Sequence, residues 1–150
     1  MRVIIQRVKE ASVHVDSKII SKIKKGLLIF VGVTESDTDD DINWLVKKIS
    51  NLRIFEDESG MMNKSLIDID GEALVVSQFT LFASTKKGNR PSYIRAARPE
   101  VAIEWYNDFV EKLRKCLGKK IETGVFGADM KVSLINDGPV TISIDTQQKE

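Results

Sequence analysis

Residues Gly26 to Val33 read Gly-Leu-Leu-Ile-Phe-Val-Gly-Val, with no alternation between polar and apolar side chains. Successive side chains of a strand point to opposite faces, so a strand with no wet face must be covered on both. A membrane span would need about 20 such residues. The run therefore predicts a central strand in a soluble sheet with layers above and below it.

The flanking segments supply those layers. Arg2–Val8 reads as a first strand, and Ala11–Asp16 as another, with Val13 and Val15 on one face and Ser12, His14 and Asp16 on the wet one. A helix capped by Asp37 or Thr38 carries Asp39, Asp40 and Asp41 where its dipole favours negative charge, then an apolar stripe of Ile42, Leu45, Val46, Ile49 and Leu52. A second helix starts near Pro99 and runs to Leu117, with Gly118 as its left-handed terminator. Its buried face is predicted to hold Ala102, Trp105, Tyr106, Phe109, Leu113 and Cys116. Between the helices come Arg53–Glu56, a turn at Asp57–Gly60, a loop to Gly71 and a strand from Ala73 to Phe82. Strands at Ile121–Val125, Met130–Ile135 and Val140–Asp145 follow, and the polar end from Gln147 is predicted to fray.

This order implies an α/β fold: mixed sheets stacked in a β/β/α layered or barrel-like arrangement with two main helices. The 150 residues suit a single domain, 1–150, since a chain of about this length buries roughly 68–70% of its unfolded surface. Lys and Arg number 23 against 22 Asp and Glu, which excludes a polybasic protein, so any nucleic-acid contact must be a local patch. Lys9 and Glu10 interrupt the N-terminal segment before a signal-peptide core develops, and the single cysteine precludes an internal disulfide. Both point to the cytoplasm.

The residues that usually carry hydrolytic chemistry are scarce. His14, the single histidine, falls on a wet strand face, and Cys116 falls on an apolar helix stripe. There is no HExxH, CxxC, Walker loop or GxGxxG, and the acidic run from Glu35 to Asp41 lacks the glycine and terminal glutamate of a calcium loop, so it reads as a solvated helix N-terminus. No metal and no cofactor are expected. From Ser84 to Arg98, by contrast, Lys86, Lys87, Arg90, Arg95 and Arg98 occur with no acid, beside Tyr93. Such a loop suits phosphate contacts and base stacking, or is a plain solvated surface.

Two motifs fit poorly with a purely structural role. Ser77, Gln78 and Thr80 interrupt a strand otherwise apolar on both faces, so they must be hydrogen-bonded or face a cavity. Asn136-Asp137-Gly138-Pro139 places Asp-Gly between strands, yet Pro139 lacks the N–H that would close an ordinary two-residue hairpin. A cis Gly-Pro bond, or a proline held out of the ladder, fits better.

Ser77-Gln78-Phe79-Thr80-Leu81 and Asn136-Asp137-Gly138-Pro139-Val140-Thr141, after the opening Met1-Arg2-Val3-Ile4-Ile5-Gln6-Arg7-Val8, resemble the D-aminoacyl-tRNA deacylase family from Met1 to about Asp145. Lys87–Ser92 and Phe126–Met130 also resemble family segments. The resemblance implies a homodimer, with active sites at the subunit interface, that hydrolyses the ester of a D-amino acid or glycine on the terminal adenosine of tRNA. It implies that Ser77, Gln78, Phe79 and Thr80 surround the ester, with the Phe79 amide stabilising the oxyanion. Gly138-Pro139, cis in the family, would enter the partner subunit's pocket and exclude L-side chains, braced by Arg7. Phe126 and Met130 would contact the terminal adenine or serve the core, and Lys86, Lys87 and Arg90 would meet the acceptor end of the tRNA. Thr80 as nucleophile is the rival to substrate-assisted attack by water. The functional rivals are an editing deacylase acting on mischarged L-aminoacyl-tRNA and a non-catalytic nucleic-acid-binding module.

Overall fold

The protein is described by a computed structural model over residues 1–149. In chain order it contains β1 (Arg2–Val15), β2 (Lys18–Ile23), β3 (Gly26–Gly32), α1 (Asp39–Asn51), β4 (Phe55–Glu56), β5 (Met62–Lys64), β6 (Glu72–Ser77), a 3₁₀ turn (Phe79–Phe82), α2 (Pro99–Leu117), β7 (Glu122–Thr123) and β8 (Lys131–Asp145). The main sheet runs β2-β1-β3-β6-β7, with β8 added along β1, while β4 and β5 form a small hairpin. β3–β6 and β6–β7 are parallel, and the other pairs are antiparallel. The sheet curls until β2 approaches β6 and β7, which gives the barrel-like form.

The central-strand expectation is met by β3. Leu27, Ile29 and Val31 pack into a core shared with α1 and α2, whereas Leu28 joins Val8, Val13, Ile23, Leu74 and Val76 in a second core inside the curled sheet. Each such side chain, fully buried, contributes about 1.5–3 kcal/mol. The two cores explain why the run has no polar member. At its start the β3 backbone lies so close to β6 that a Cβ on Gly26 would sit 1.9 Å from the Glu72 carbonyl oxygen.

α1 buries Ile42, Leu45 and Ile49, and Thr38 and Asp41 form a reciprocal capping box at its start. α2 opens on Pro99 and stops at Gly118, whose φ of +65° is left-handed. Tyr106, Phe109 and Leu113 are buried as expected, and Trp105 is half-buried. Cys116 is exposed, contrary to expectation. At about 100° per residue, Leu117 lies about 40° from Leu113 and Cys116 about 60° away on the other side, so Leu117 takes the inward place.

Other boundaries also differ from expectation. The first two predicted strands are one, because β8 pairs along β1 from Arg2 to His14 and absorbs irregularities near Arg7 and Lys9. β2 was not foreseen; it folds back on β1 through Asp16 and Ser17, both at positive φ. The strand predicted to reach Phe82 ends at Ser77, where the chain turns into the 3₁₀ segment. The strands predicted on either side of Asn136–Pro139 are halves of β8, since both pair with β1 in the same sense. The acidic run is not wholly solvated either: Asp37 and Asp41 are buried, and Asp37 receives the N-terminal ammonium of Met1, which also bonds Thr146 Oγ1 at 2.6 Å. Burial pushes the Asp37 carboxyl up, against the lowering pull of that ammonium.

Candidate active site

The end of β6 fixes one wall of a cleft. Val31 pairs with Ser77 across the parallel β3–β6 ladder, and the Gln78 amide donates to the Val31 carbonyl at 2.7 Å. Gln78 then leaves strand geometry with φ −146° and ψ 82°, and Phe79–Phe82 wind into the 3₁₀ turn. Gly32 makes room for that fold-over, since a Cβ there would meet the Gln78 oxygen at 3.0 Å and Leu81 Cβ at 3.1 Å. The first amides of such a turn, Phe79 and Thr80, have no acceptor inside it. A crevice at the carboxyl ends of parallel strands is where α/β sheets generally hold ligands.

The cleft measures about 570 Å³, within the range of small-molecule sites. Ser77, Gln78 and Phe79 form one side, Phe126 and Met130 another. The Thr80 side chain does not line it: its Oγ1 accepts a hydrogen bond from Gln78 Nε2. Tyr93, Ala96, Ala97, Ala102 and Tyr106 also line the wall, and of these the sequence points only to Tyr93, as a stacking residue. The three alanines could have given the signal, because small side chains leave the space that the cleft occupies. The Tyr106 hydroxyl donates to the Val75 carbonyl at 2.8 Å, and burial pushes its phenol up, so it acts as a fixed neutral wall.

Neither His14 nor Cys116 borders this space, and Asp129 is the charged residue among its lining. Asp129 is paired with Lys131 at 2.9 Å. Among the described residues no three His, Cys, Asp or Glu side chains converge as metal ligands. Beside that paired carboxylate, the polar side chains lining the cleft are Ser77, Gln78, Tyr93 and Tyr106.

Gly138 and Pro139 lie apart from this cleft. Between the pairs Gln6–Thr141 and Val8–Asn136, residues Asp137 to Val140 bulge out opposite Arg7 alone. The Gly138-Pro139 peptide is cis, and both residues are exposed. The buried Arg7 guanidinium holds the base of the bulge: Nε donates to the Asp137 carbonyl at 3.0 Å, and Nη1 donates to the Ile54 carbonyl. Gly138, at φ +126°, is packed so closely that a Cβ would stand 2.7 Å from Arg7 Nη2. The bulge is thus an exposed projection, braced at its base and outside the lining of this chain's own cleft.

Lys86, Lys87 and Arg90 occupy an exposed loop whose base is tied by paired Ser84–Ser92 backbone bonds of 2.8 and 3.0 Å. Tyr93 follows at once and brings the loop to the cleft mouth.

A family profile described as D-Tyr-tRNA(Tyr) deacylase matches residues 4–145. The chain is 66% identical to a D-aminoacyl-tRNA deacylase of Flavobacterium psychrophilum and 61% identical to one of Bacteroides thetaiotaomicron, in each case over 100% of both chains. Among solved structures, a c-Myc DNA unwinding element binding protein is 45% identical with a TM-score of 0.92, covering 97% of this chain and 98% of that one. A probable eukaryotic D-amino acid tRNA deacylase, 18% identical, shares the fold with a TM-score of 0.82 over 95% of this chain and 97% of its own.

Proposed function

The chain belongs to the D-Tyr-tRNA(Tyr) deacylase family, and from that premise we propose how its cleft performs the reaction. It hydrolyses D-aminoacyl-tRNA. The C–O bond between the aminoacyl carbonyl and the ribose of the terminal adenosine breaks, water supplies hydroxyl to the acyl carbon, and its proton goes to the ribose oxygen. The D-amino acid and free tRNA leave. Glycine, which has no side chain to exclude, is accepted on the same terms.

The observation that carries this reading is a cleft built from the Ser77–Phe79 wall with no histidine or cysteine in its lining. Water attack there is assisted by the substrate's own ribose hydroxyl, and the Phe79 amide receives the developing oxyanion. Phe126 and Met130 face the terminal adenine. The projecting Gly138-Pro139 segment enters the cleft of a partner subunit in a homodimer, where it meets the substrate amino group and blocks L-side chains. Rejecting the abundant L-ester by a wall serves this task better than tighter binding of the D-ester. Among the described residues no helix is long and apolar enough to cross a membrane, and a tRNA substrate supports the reading of a cytoplasmic enzyme.

Incubating the protein with matched D- and L-aminoacyl-tRNAs and following ester loss tests this reading. Loss of the D-ester alone is expected. Loss of the L-ester would instead indicate an editing deacylase of L-aminoacyl-tRNA, and binding without turnover a nucleic-acid-binding module, the reading that the name of the 45% identical structure favours.

The loop gives a second test. Lys86, Lys87 and Arg90 contact phosphates of the acceptor end, so neutralising all three is expected to weaken tRNA binding. It should also flatten the log–log salt dependence by up to about 0.7–0.9 per lost contact. An unchanged slope would make the loop a plain solvated surface.

A further inference from the structure

Phe79 and Tyr93 form an edge-on pair at the cleft mouth, with ring centroids 5.0 Å apart and planes at 76°. Both line the cleft, yet they are 56% and 38% exposed, and the adjoining Ile94 is 89% exposed. A contiguous apolar patch left in water marks a surface that something covers. The other aromatic pair of the cleft, Tyr106 and Phe126, lies deeper, with Tyr106 buried and Phe126 half-buried. The cleft thus has one aromatic pair in its interior and one at its rim.

Charge indicates what covers the rim. The loop that delivers Tyr93 carries Lys86, Lys87, Arg90, Arg95 and Arg98 with no acid between Ser84 and Arg98. Among the described residues Arg98 alone of these lies within ion-pair distance of a carboxylate, that of Glu35. Exposed aromatic faces beside unneutralised cations are the means by which proteins hold single-stranded nucleic acid. A cleft of about 570 Å³ is of the size that takes one aminoacylated nucleoside, so the preceding nucleotide must lie outside it, on the rim.

Resting on the deacylase reading above, we propose that the Phe79–Tyr93 pair is a stacking platform for the base of the nucleotide that precedes the terminal adenosine. The phosphate on the 5′ side of that nucleotide faces the Lys86–Arg90 loop. Phe79 then has two separate roles, its amide inside the cleft and its ring at the rim.

The test compares kcat/KM for a D-aminoacyl ester of adenosine with that for the same ester on a dinucleotide ending in adenosine. Stacking one base is expected to raise kcat/KM about fivefold to a hundredfold in the unmodified protein. Tyr93→Ala is expected to remove most of that increment and Tyr93→Phe to retain it, the increment being read in each variant as the ratio of its kcat/KM on the two esters and folding being checked by a thermal unfolding transition. An increment undiminished in Tyr93→Ala, equal losses on both esters, or no increment in the unmodified protein would overturn the platform while leaving the deacylase reading intact. No turnover of either ester by the unmodified protein would overturn both.

Discussion

Replacing Phe79 by proline is expected to lower kcat on D-aminoacyl-tRNA by about 10²–10³-fold, the cost of deleting one oxyanion donor in a preorganised site. The substitution removes the amide hydrogen together with the ring. Phe79 is the first residue of the 3₁₀ turn, a position that accepts proline because its N–H has no partner inside the turn. Gln78, at φ −146°, lies outside the helical region that a following proline disfavours. The control is Phe79→Ala, which deletes the ring and keeps the amide. If the two variants lose kcat equally, the ring and not the amide matters, and the oxyanion assignment fails.

The same wall distinguishes water attack from covalent catalysis. Thr80 Oγ1 is bonded to Gln78 Nε2 and does not face the cleft. Thr80→Ala is therefore expected to keep measurable turnover, whereas loss of a covalent nucleophile costs on the order of 10⁶ in kcat in subtilisin. An acyl group trapped on Thr80 would overturn the water mechanism.

How far the sequence reveals this molecule depends on whether the information is local. β3 and both helices are legible because one-dimensional patterns dictate them: an unbroken apolar run, a cap followed by an acidic first turn, a proline at one end and a glycine at the other. β2 was missed although Asp16-Ser17 separates two β-rich runs, because neither residue is glycine and yet both take positive φ. The end of β6 is set by Gly32 on another strand, which lets Gln78 and Leu81 fold over β3, so no reading of residues 73–82 alone could locate it. The burial of Asp37 is not legible locally because its partner, the Met1 ammonium, is distant in sequence.

The site divides in the same way. Ser77–Thr80 and Asn136–Thr141 are visible as motifs by resemblance, while Tyr93, Ala96, Ala97 and Tyr106 enter the cleft only through the packing of α2 and its preceding loop against β6. Proline at position 139 excluded a simple hairpin correctly. It did not reveal that both halves of β8 pair with one strand, which turns the motif from a reversal of the chain into a projection.

That projection leads to the most demanding expectation, that each working site is assembled from two chains. Gly138→Ala should cost about 10²-fold or more in D-ester turnover, because an ångström-scale displacement of a positioning group has this effect. A Cβ at Gly138 would stand 2.7 Å from Arg7 Nη2 on a backbone at φ +126°, so the bulge cannot hold its place. Arg7→Ala should act in the same direction by freeing the Asp137 carbonyl, with a stability loss of about 1.5–3 kcal/mol for a bond from a charged donor. Neither residue lines the cleft of its own chain. Mixing Gly138→Ala with Phe79→Pro, two nearly inactive proteins, separates the possibilities. In a two-fold dimer each mixed pair holds one site made of an intact Phe79 wall from one chain and an intact Gly138-Pro139 from the other. Random re-pairing of equal amounts should restore roughly a quarter of the sites. Sites contained within single chains would give no recovery, and its absence after proven subunit exchange would return the bulge to a role inside its own subunit.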